Sequence, residues 1–260
     1  MYKELSLTTF KEEMAYRGEV LIYFLGTFIQ LAIMYFLWSA VFKAYGAETL
    51  KGFTLPMMIT YVSISTVLGI YNRSAVEWWI EEDVRTGFLS LILTKPLNFP
   101  GYYFFRDLGR MAFLFLVRCL PLLLIAFFFL NIALPSSPIF FVSAVLGFFI
   151  NFFLLFITGL WSFWSSGSIW GMRFTRIIVS DMLSGSLIPI FLFPYWLRQI
   201  SYVLPFQAVY STPLLIYTGQ ISGSDALVSL GVQLFWIAAL GVAAFLIWKR
   251  AEKKTISQGG

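Results

Sequence analysis

Six long apolar runs, at residues 20–42, 53–71, 111–134, 139–165, 177–197 and 226–248, decide most of what this chain can fold into. About 20 apolar residues cross a bilayer core as a helix, and backbone in lipid must satisfy its own hydrogen bonds. Each run therefore reads as a transmembrane α-helix. Composition agrees. Of 260 residues, 59% are hydrophobic, 20% aromatic and 12% charged, against about 25% charged in a soluble domain. The expected fold class is all-α, one polytopic membrane domain over 1–260 with six transmembrane helices.

Several function classes drop out early. The chain has no His, and its single Cys119 lies in an apolar run, so a His/Cys metal site, a Cys–His catalytic pair and an intrachain disulfide are all excluded. The pI near 9.3 does not point to nucleic acid, because the basic residues lie at the ends of apolar runs rather than in a stripe. No cleavable signal is expected, since a polar, amphipathic stretch precedes a full-length span.

The basic residues set the topology. Lys3, Lys11, Arg17, Arg73, Arg85, Lys95, Arg106, Arg110, Arg173, Arg176, Lys249, Arg250, Lys253 and Lys254 fall on one side. Lys43, Lys51 and Arg198 fall on the other, and Arg118 lies inside a span. The positive-inside rule then places both termini in the cytoplasm.

Three segments are neither spans nor plain loops. Residues 2–18 bring Leu7, Phe10 and Met14 to one helical face, which predicts an interfacial helix on the inner membrane surface. The cytoplasmic loop 73–104 carries Ile80, Val84, Phe88 and Leu91 at helical spacing. Residues 198–225 are too polar, and too broken by Pro205 and Pro213, to span, yet too apolar to float in water. They read as an outer re-entrant or interfacial hairpin. Spans one and two thus occupy 20–72, spans three to five 105–197, span six 226–248, and a cytoplasmic tail 249–260.

This ordered combination resembles the permease subunits of type-2 ABC transporters, in particular their small stand-alone bacterial and archaeal members. The residues that carry the likeness are Arg85-Thr86-Gly87-Phe88-Leu89, then Leu93-Thr94-Lys95-Pro96, and the outer Leu204-Pro205 followed by Pro213. The resemblance covers essentially the whole chain. It implies a homodimer or heterodimer of permeases with two copies of a separate ABC ATPase, which would hold ATP and Mg. This chain has no G-x-x-x-x-G-K-[ST] segment and would bind no cofactor itself. Leu183-Ser184-Gly185-Ser186 is like an ATPase signature loop, but it sits inside an apolar run and is a chance match.

The resemblance also implies a role for the 77–96 loop. As a bland linker, its charges merely keep it out of lipid. As a coupling helix over 81–93, it would dock in a groove of the ATPase. Glu81, Glu82 and Asp83 would sit at the positive end of the helix dipole and face basic residues of the partner. Val84, Phe88 and Leu91 would make the apolar contact, Arg85 would flank it, Gly87 would permit close backbone approach, and Pro96 would stop the helix.

Arg118 and Asp181 are the intramembrane charges, each costing roughly 2.5–3.5 kcal/mol on insertion scales unless paired or in a polar cavity. A pair between them is expected, as a staple between helices or as a substrate or gating contact. Ser63 and Thr66 in the second span, and Ser184 in the fifth, are small hydroxyl residues suited to close helix packing. The resemblance implies instead that they line the path. Pro189 and Pro194 should kink the fifth span.

The favoured reading is the permease subunit of an ATP-driven exporter of an amphiphilic, lipid-like, drug or peptide cargo, in a bacterial or archaeal cytoplasmic membrane. A passive channel or assembly scaffold is the alternative. A polytopic membrane enzyme lacks converging catalytic groups. The topology predicts that cysteines at Glu48, Ser136 and Ser222 label from outside with impermeant reagents while those at Glu82 and Ser257 do not. Outside labelling at Glu82 would contradict both topology and coupling loop.

Overall fold

A computed structural model describes residues 1–15, 17–46, 48–94, 98–165 and 167–258. Helix α1 (Tyr2–Ala15) leads into α2 (Arg17–Tyr45), then a hairpin of β1 (Thr49–Leu50) and β2 (Phe53–Thr54). Its turn residues Lys51 and Gly52 both have positive φ, 48° and 87°, the geometry a two-residue type I′ turn demands. Helices α3 (Leu55–Tyr71), α4 (Val76–Arg85), α5 (Leu89–Leu93) and α6 (Phe99–Leu114) follow. A π-turn at Phe115–Cys119 joins α6 to α7 (Leu120–Leu130). Then come α8 (Ile139–Leu160), α9 (Trp170–Leu183), α10 (Tyr195–Val203), α11 (Phe206–Val209), α12 (Ser211–Tyr217) and α13 (Gly223–Gln258).

Among the described residues, five helical runs are long and apolar enough to cross a membrane: Ile22–Tyr45, Leu55–Arg85, Phe99–Leu130, Ile139–Phe163 and Gly223–Lys254. The protein is therefore an all-α polytopic membrane protein. The first and last runs keep only 11% of their apolar windows buried inside the chain, so their apolar surfaces face outward. Two large clusters fill the interior. One surrounds Phe53, Tyr61, Leu214 and Tyr217 at the far end. The other surrounds Trp79, Ile80, Phe99, Tyr103, Phe156 and Trp248 at the Arg-rich end, where Phe99 and Trp248 stack with ring centroids 3.7 Å apart.

Two expectations need correction. The third span does not begin at residue 111, because α6 starts at Phe99 and runs unbroken into α7. Its first turns are helical because Phe99, Tyr102 and Tyr103 bury against α4 and α8 residues of the Arg-rich cluster, a tertiary effect that hydropathy does not register. Pro121 has no N–H and would clash with the carbonyl four residues back. The backbone widens just before it, and the Leu120 N–H bonds Phe115 O in the five-residue step of a π-turn.

The stretch 177–197 is not one continuous helix. α9 ends at Leu183, residues 184–188 bend, and a 3₁₀ turn at Ile190–Leu192 precedes α10. Gly185 takes φ +78°, and Pro189 and Pro194 forbid the helix from resuming. The freed carbonyls are satisfied by protein. The Tyr61 hydroxyl donates to Gly185 O at 2.8 Å, the Ser65 hydroxyl to Ser186 O at 2.6 Å, and the Ser211 N–H to Ser184 O at 3.1 Å. Irregular backbone at membrane depth is tolerated only with such partners.

Helix α1, in the expected interfacial segment, is also fixed to α6. Phe10 turns inward to an edge contact with Phe113, while Leu7 and Met14 stay exposed. The Ser6 hydroxyl donates to Phe105 O at 2.6 Å, Tyr2 stacks on Phe105, and Arg110 pairs with Glu13. Gly109 makes this approach feasible, since a Cβ there would lie 2.2 Å from Ser6 O. Gly109→Ala should cost about 1–3 kcal/mol through overpacking, seen as a lower Tm of the detergent-purified protein. Gly26→Ala, with nothing within 4 Å of the added carbon, should not lower it.

Candidate functional site

The 76–93 loop is built on α4, whose Val76, Glu77, Trp79, Ile80 and Asp83 form one buried face at helical spacing. That face lies against α8 at Gly159, where a Cβ would meet Ile80 Cδ1 at 2.9 Å and Glu77 Cα at 3.0 Å. Such proximity commits two carboxylates, Glu77 and Glu81, one helical turn apart, to a low-dielectric seam. α9 supplies their counter-ions. Arg176 grips Glu77 through two bonds, Nε to Oε2 at 3.0 Å and a terminal nitrogen to Oε1 at 2.9 Å. Arg173 lies 3.5 Å from Glu77 through Nε and pairs with Glu81 through a terminal nitrogen. The four side chains are only 6–17% exposed.

Glu81 does a second job. It accepts from the Ser168 hydroxyl at 2.7 Å and the Ile169 N–H at 2.9 Å, just ahead of α9. A carboxylate there meets an orphan N–H and the positive end of the helix dipole. α4 and α9 are thereby clasped by charge-assisted bonds, with one bidentate arginine. Nothing in the sequence reading used Glu77, Arg173 or Arg176 this way. The available signal was the spacing, Glu77 and Glu81 four apart and Arg173 and Arg176 three apart, so that each pair shares a helix face.

The expected single helix over 81–93 is corrected. α4 ends at Arg85, Gly87 takes φ +75°, and the short α5 begins at Leu89. Gly87 serves this left-handed turn and not close packing, because nothing lies within 4 Å of an added Cβ. The acidic start does not face outward as a unit. Glu81 is held by α9, and buried Asp83 accepts from the Tyr103 hydroxyl at 2.7 Å. Val84 packs on the Arg-rich cluster. Glu82 and Arg85 bond each other at 2.6 Å on the surface. The exposed edge is therefore Arg85, Gly87, Phe88 (40% exposed) and Leu91 (55% exposed). Lys95 and the stop residue Pro96 lie outside the described residues.

The intramembrane candidates separate into different places. Thr66 and Asp181 line one polar cavity of about 470 Å³, together with Gln30, Ser65, Ser180 and Tyr210. Ser63 and Ser184 are buried beside it and do not line it. Ser184 instead bends the chain, its hydroxyl accepting from the Ser186 N–H at 3.2 Å. Arg118, carried on the π-turn, lies over the Tyr23 ring of α2 at 4.3 Å and lines a second cavity of about 960 Å³. Among the described residues no ion pair joins Arg118 to Asp181, so the expected staple is absent. The π-turn aims Arg118 at α2, while Asp181, on α9, lines the cavity shared with Ser65 and Thr66 of α3, near Arg176. The two cavities share Arg73, Ser74 and Glu77 as common wall.

Double-mutant cycles distinguish these contacts. Glu77→Ala or Arg176→Ala alone should each cost about 3–5 kcal/mol by stranding a buried charge, and the double variant should cost clearly less than their sum. Arg118→Ala and Asp181→Ala should add within about 0.5 kcal/mol. Thermal unfolding of the purified variants measures both.

No curated protein and no solved structure matches this chain. Residues 28–259 match the family described as ABC-2 family transporter protein. That match takes in the later part of α2 and every helix from α3 onward, including the clasp and the exposed 85–91 edge. The chain is a member of the ABC-2 transporter family.

Proposed function

We infer that the chain is a membrane permease subunit of an ABC transporter, as its family supports, since ABC-2 permeases generally work with an ABC ATPase. We propose that this one forms an exporter with two copies of a separately encoded ATPase and a second permease chain, the same or a sibling. The observation that carries the reading is the mechanical continuity of the loop. The exposed Phe88–Leu91 edge is one turn from α4, α4 is clasped to α9, and α9 forms a wall of the cavity that holds Thr66 and Asp181. ATP shifts such a system only by its differential affinity for two states. A rigid clasp would let ATPase closure at the edge move the cavity wall.

In this reading the chain crosses the membrane six times with both termini in the cytoplasm. α9 starts beside Glu81 at the Arg-rich end, whereas Tyr217 of α12 accepts the Ser136 N–H at the far end. The bent segment between them makes the fifth crossing. α10–α12 form the outer hairpin, fastened where Gln233 Nε2 donates to Ser143 O and Ala208 O at 3.0 and 2.7 Å. A polar cavity set within an apolar helical bundle supports an amphiphilic cargo. The alternative, a passive channel or scaffold, leaves the exposed Phe88 and Leu91 without a use.

Phe88→Asp should leave the helices folded but abolish ATPase pull-down and transport-coupled ATP turnover. An apolar hot-spot anchor is worth at least about 2 kcal/mol, roughly thirtyfold in affinity. Unchanged complex formation and turnover would reduce the loop to a linker.

A further inference from the structure

The larger cavity, bounded by α1, α2, α4 and α6, shares the clasp residues Glu77 and Arg173 but is mostly lined by other groups. Among the described residues, five arginines line it, Arg73, Arg106, Arg110, Arg118 and Arg173, with Glu12, Glu13 and Glu77 as its carboxylates. Arg110 is neutralised by Glu13, and Arg173 by Glu77 and Glu81. Arg73, Arg106 and Arg118 have no ion-pair partner among the described residues. Asp83 lies near Arg106 but is engaged by Tyr103. These three guanidinium groups rest instead on aromatic faces. Arg73 and Arg118 share the Tyr23 ring, at 5.4 and 4.3 Å, and Arg106 covers Trp79 at 4.3 Å.

Ring contacts stabilise a guanidinium by only about 0.5–2 kcal/mol and use none of its donors. The Arg118 Nε is buried with no hydrogen-bond partner, a state that costs free energy until an acceptor arrives. Arg118 also lies close enough to Arg73 and Arg110 to be repelled by both. An anion between them would remove the repulsion and supply the missing acceptors. Planar guanidinium forks match the oxygens of phosphate.

We propose that this cavity binds the phosphate of an anionic phospholipid from the leaflet at the Arg-rich face. Arg118 belongs to the Phe99–Leu130 run that is apolar enough to cross a membrane, so the phosphate would sit at the membrane boundary and not in open water. α2 exposes Ile22 (72%) and Leu25 (55%) beside Tyr23, apolar surface against which an acyl chain would lie. The π-turn that aims Arg118 fits such a role, since these turns occur frequently at functional sites. The inference needs only the membrane-spanning fold and holds whether or not the chain is an exporter.

The test is native mass spectrometry of the purified chain with phosphatidylglycerol or phosphatidylcholine, with and without millimolar inorganic phosphate. Phosphatidylglycerol should be retained over phosphatidylcholine, should resist phosphate, and should lose at least about tenfold in affinity in Arg118→Gln and Arg73→Gln, the effect of one lost charge-assisted bond. Arg198→Gln, at the opposite end over Tyr195, should retain it fully. Should Arg118→Gln fail to fold, Arg118→Lys keeps the charge without the fork and should still weaken retention. Displacement by inorganic phosphate would confirm the anion site but assign it to free phosphate. Equal retention in Arg118→Gln, Arg73→Gln and Arg198→Gln would overturn the proposal.

Discussion

The arrangement at the Arg-rich end depends on four charges held out of water. Glu77, Glu81, Arg173 and Arg176 each bear a desolvation cost, and their mutual attraction offsets it only because the geometry is close and every carboxylate is multiply bonded. Such a cluster adds little net stability against a well-packed apolar seam. What it adds is a fixed registration of α4 on α9. Apolar side chains would tolerate a slide of one helix along the other, whereas a bidentate arginine with a shared neighbour tolerates far less. Gly159 on α8 lets α4 reach that registration.

Two departures from regular helix shape what the clasp acts on. At residues 184–188 the chain leaves helical geometry and hands its carbonyls to Tyr61, Ser65 and Ser211. Three hydrogen bonds across elements replace three along a helix, and they can be exchanged without unfolding a span. At Phe115–Cys119 the π-turn before Pro121 turns Arg118 toward Tyr23. Both departures border the polar cavities, and both trace to a proline or glycine that prevents an ordinary helix.

Much of this fold was legible in the chain. Long apolar runs, basic ends and the proline-marked 198–225 stretch follow from bilayer thickness and backbone hydrogen bonding, which hydropathy reports directly. Pro189 and Pro194 announced the broken segment. The site was less legible because periodicity marks an amphipathic face without saying what covers it. Val84, Phe88 and Leu91 share a stripe, yet Val84 packs inward and Gly87 separates the other two from α4. Glu81 and Asp83 looked like a free acidic patch, but their partners Arg173 and Tyr103 lie 92 and 20 residues away in sequence. Arg118 and Asp181 were recognisable as costly charges, while the direction each faces was set by a π-turn and by α9.

In the proposed transporter, the clasp carries movement from the exposed edge to the cavity wall. In a Cys119→Ala background with Ser180→Cys, a cavity-lining position, the thiol labelling rate can be followed in proteoliposomes containing the ATPase, with and without ATP. With the clasp intact, ATP should change the rate. With Arg173→Gln added, ATPase binding and hydrolysis should persist while labelling no longer responds to ATP. An unchanged ATP response in the Arg173→Gln protein would contradict the account.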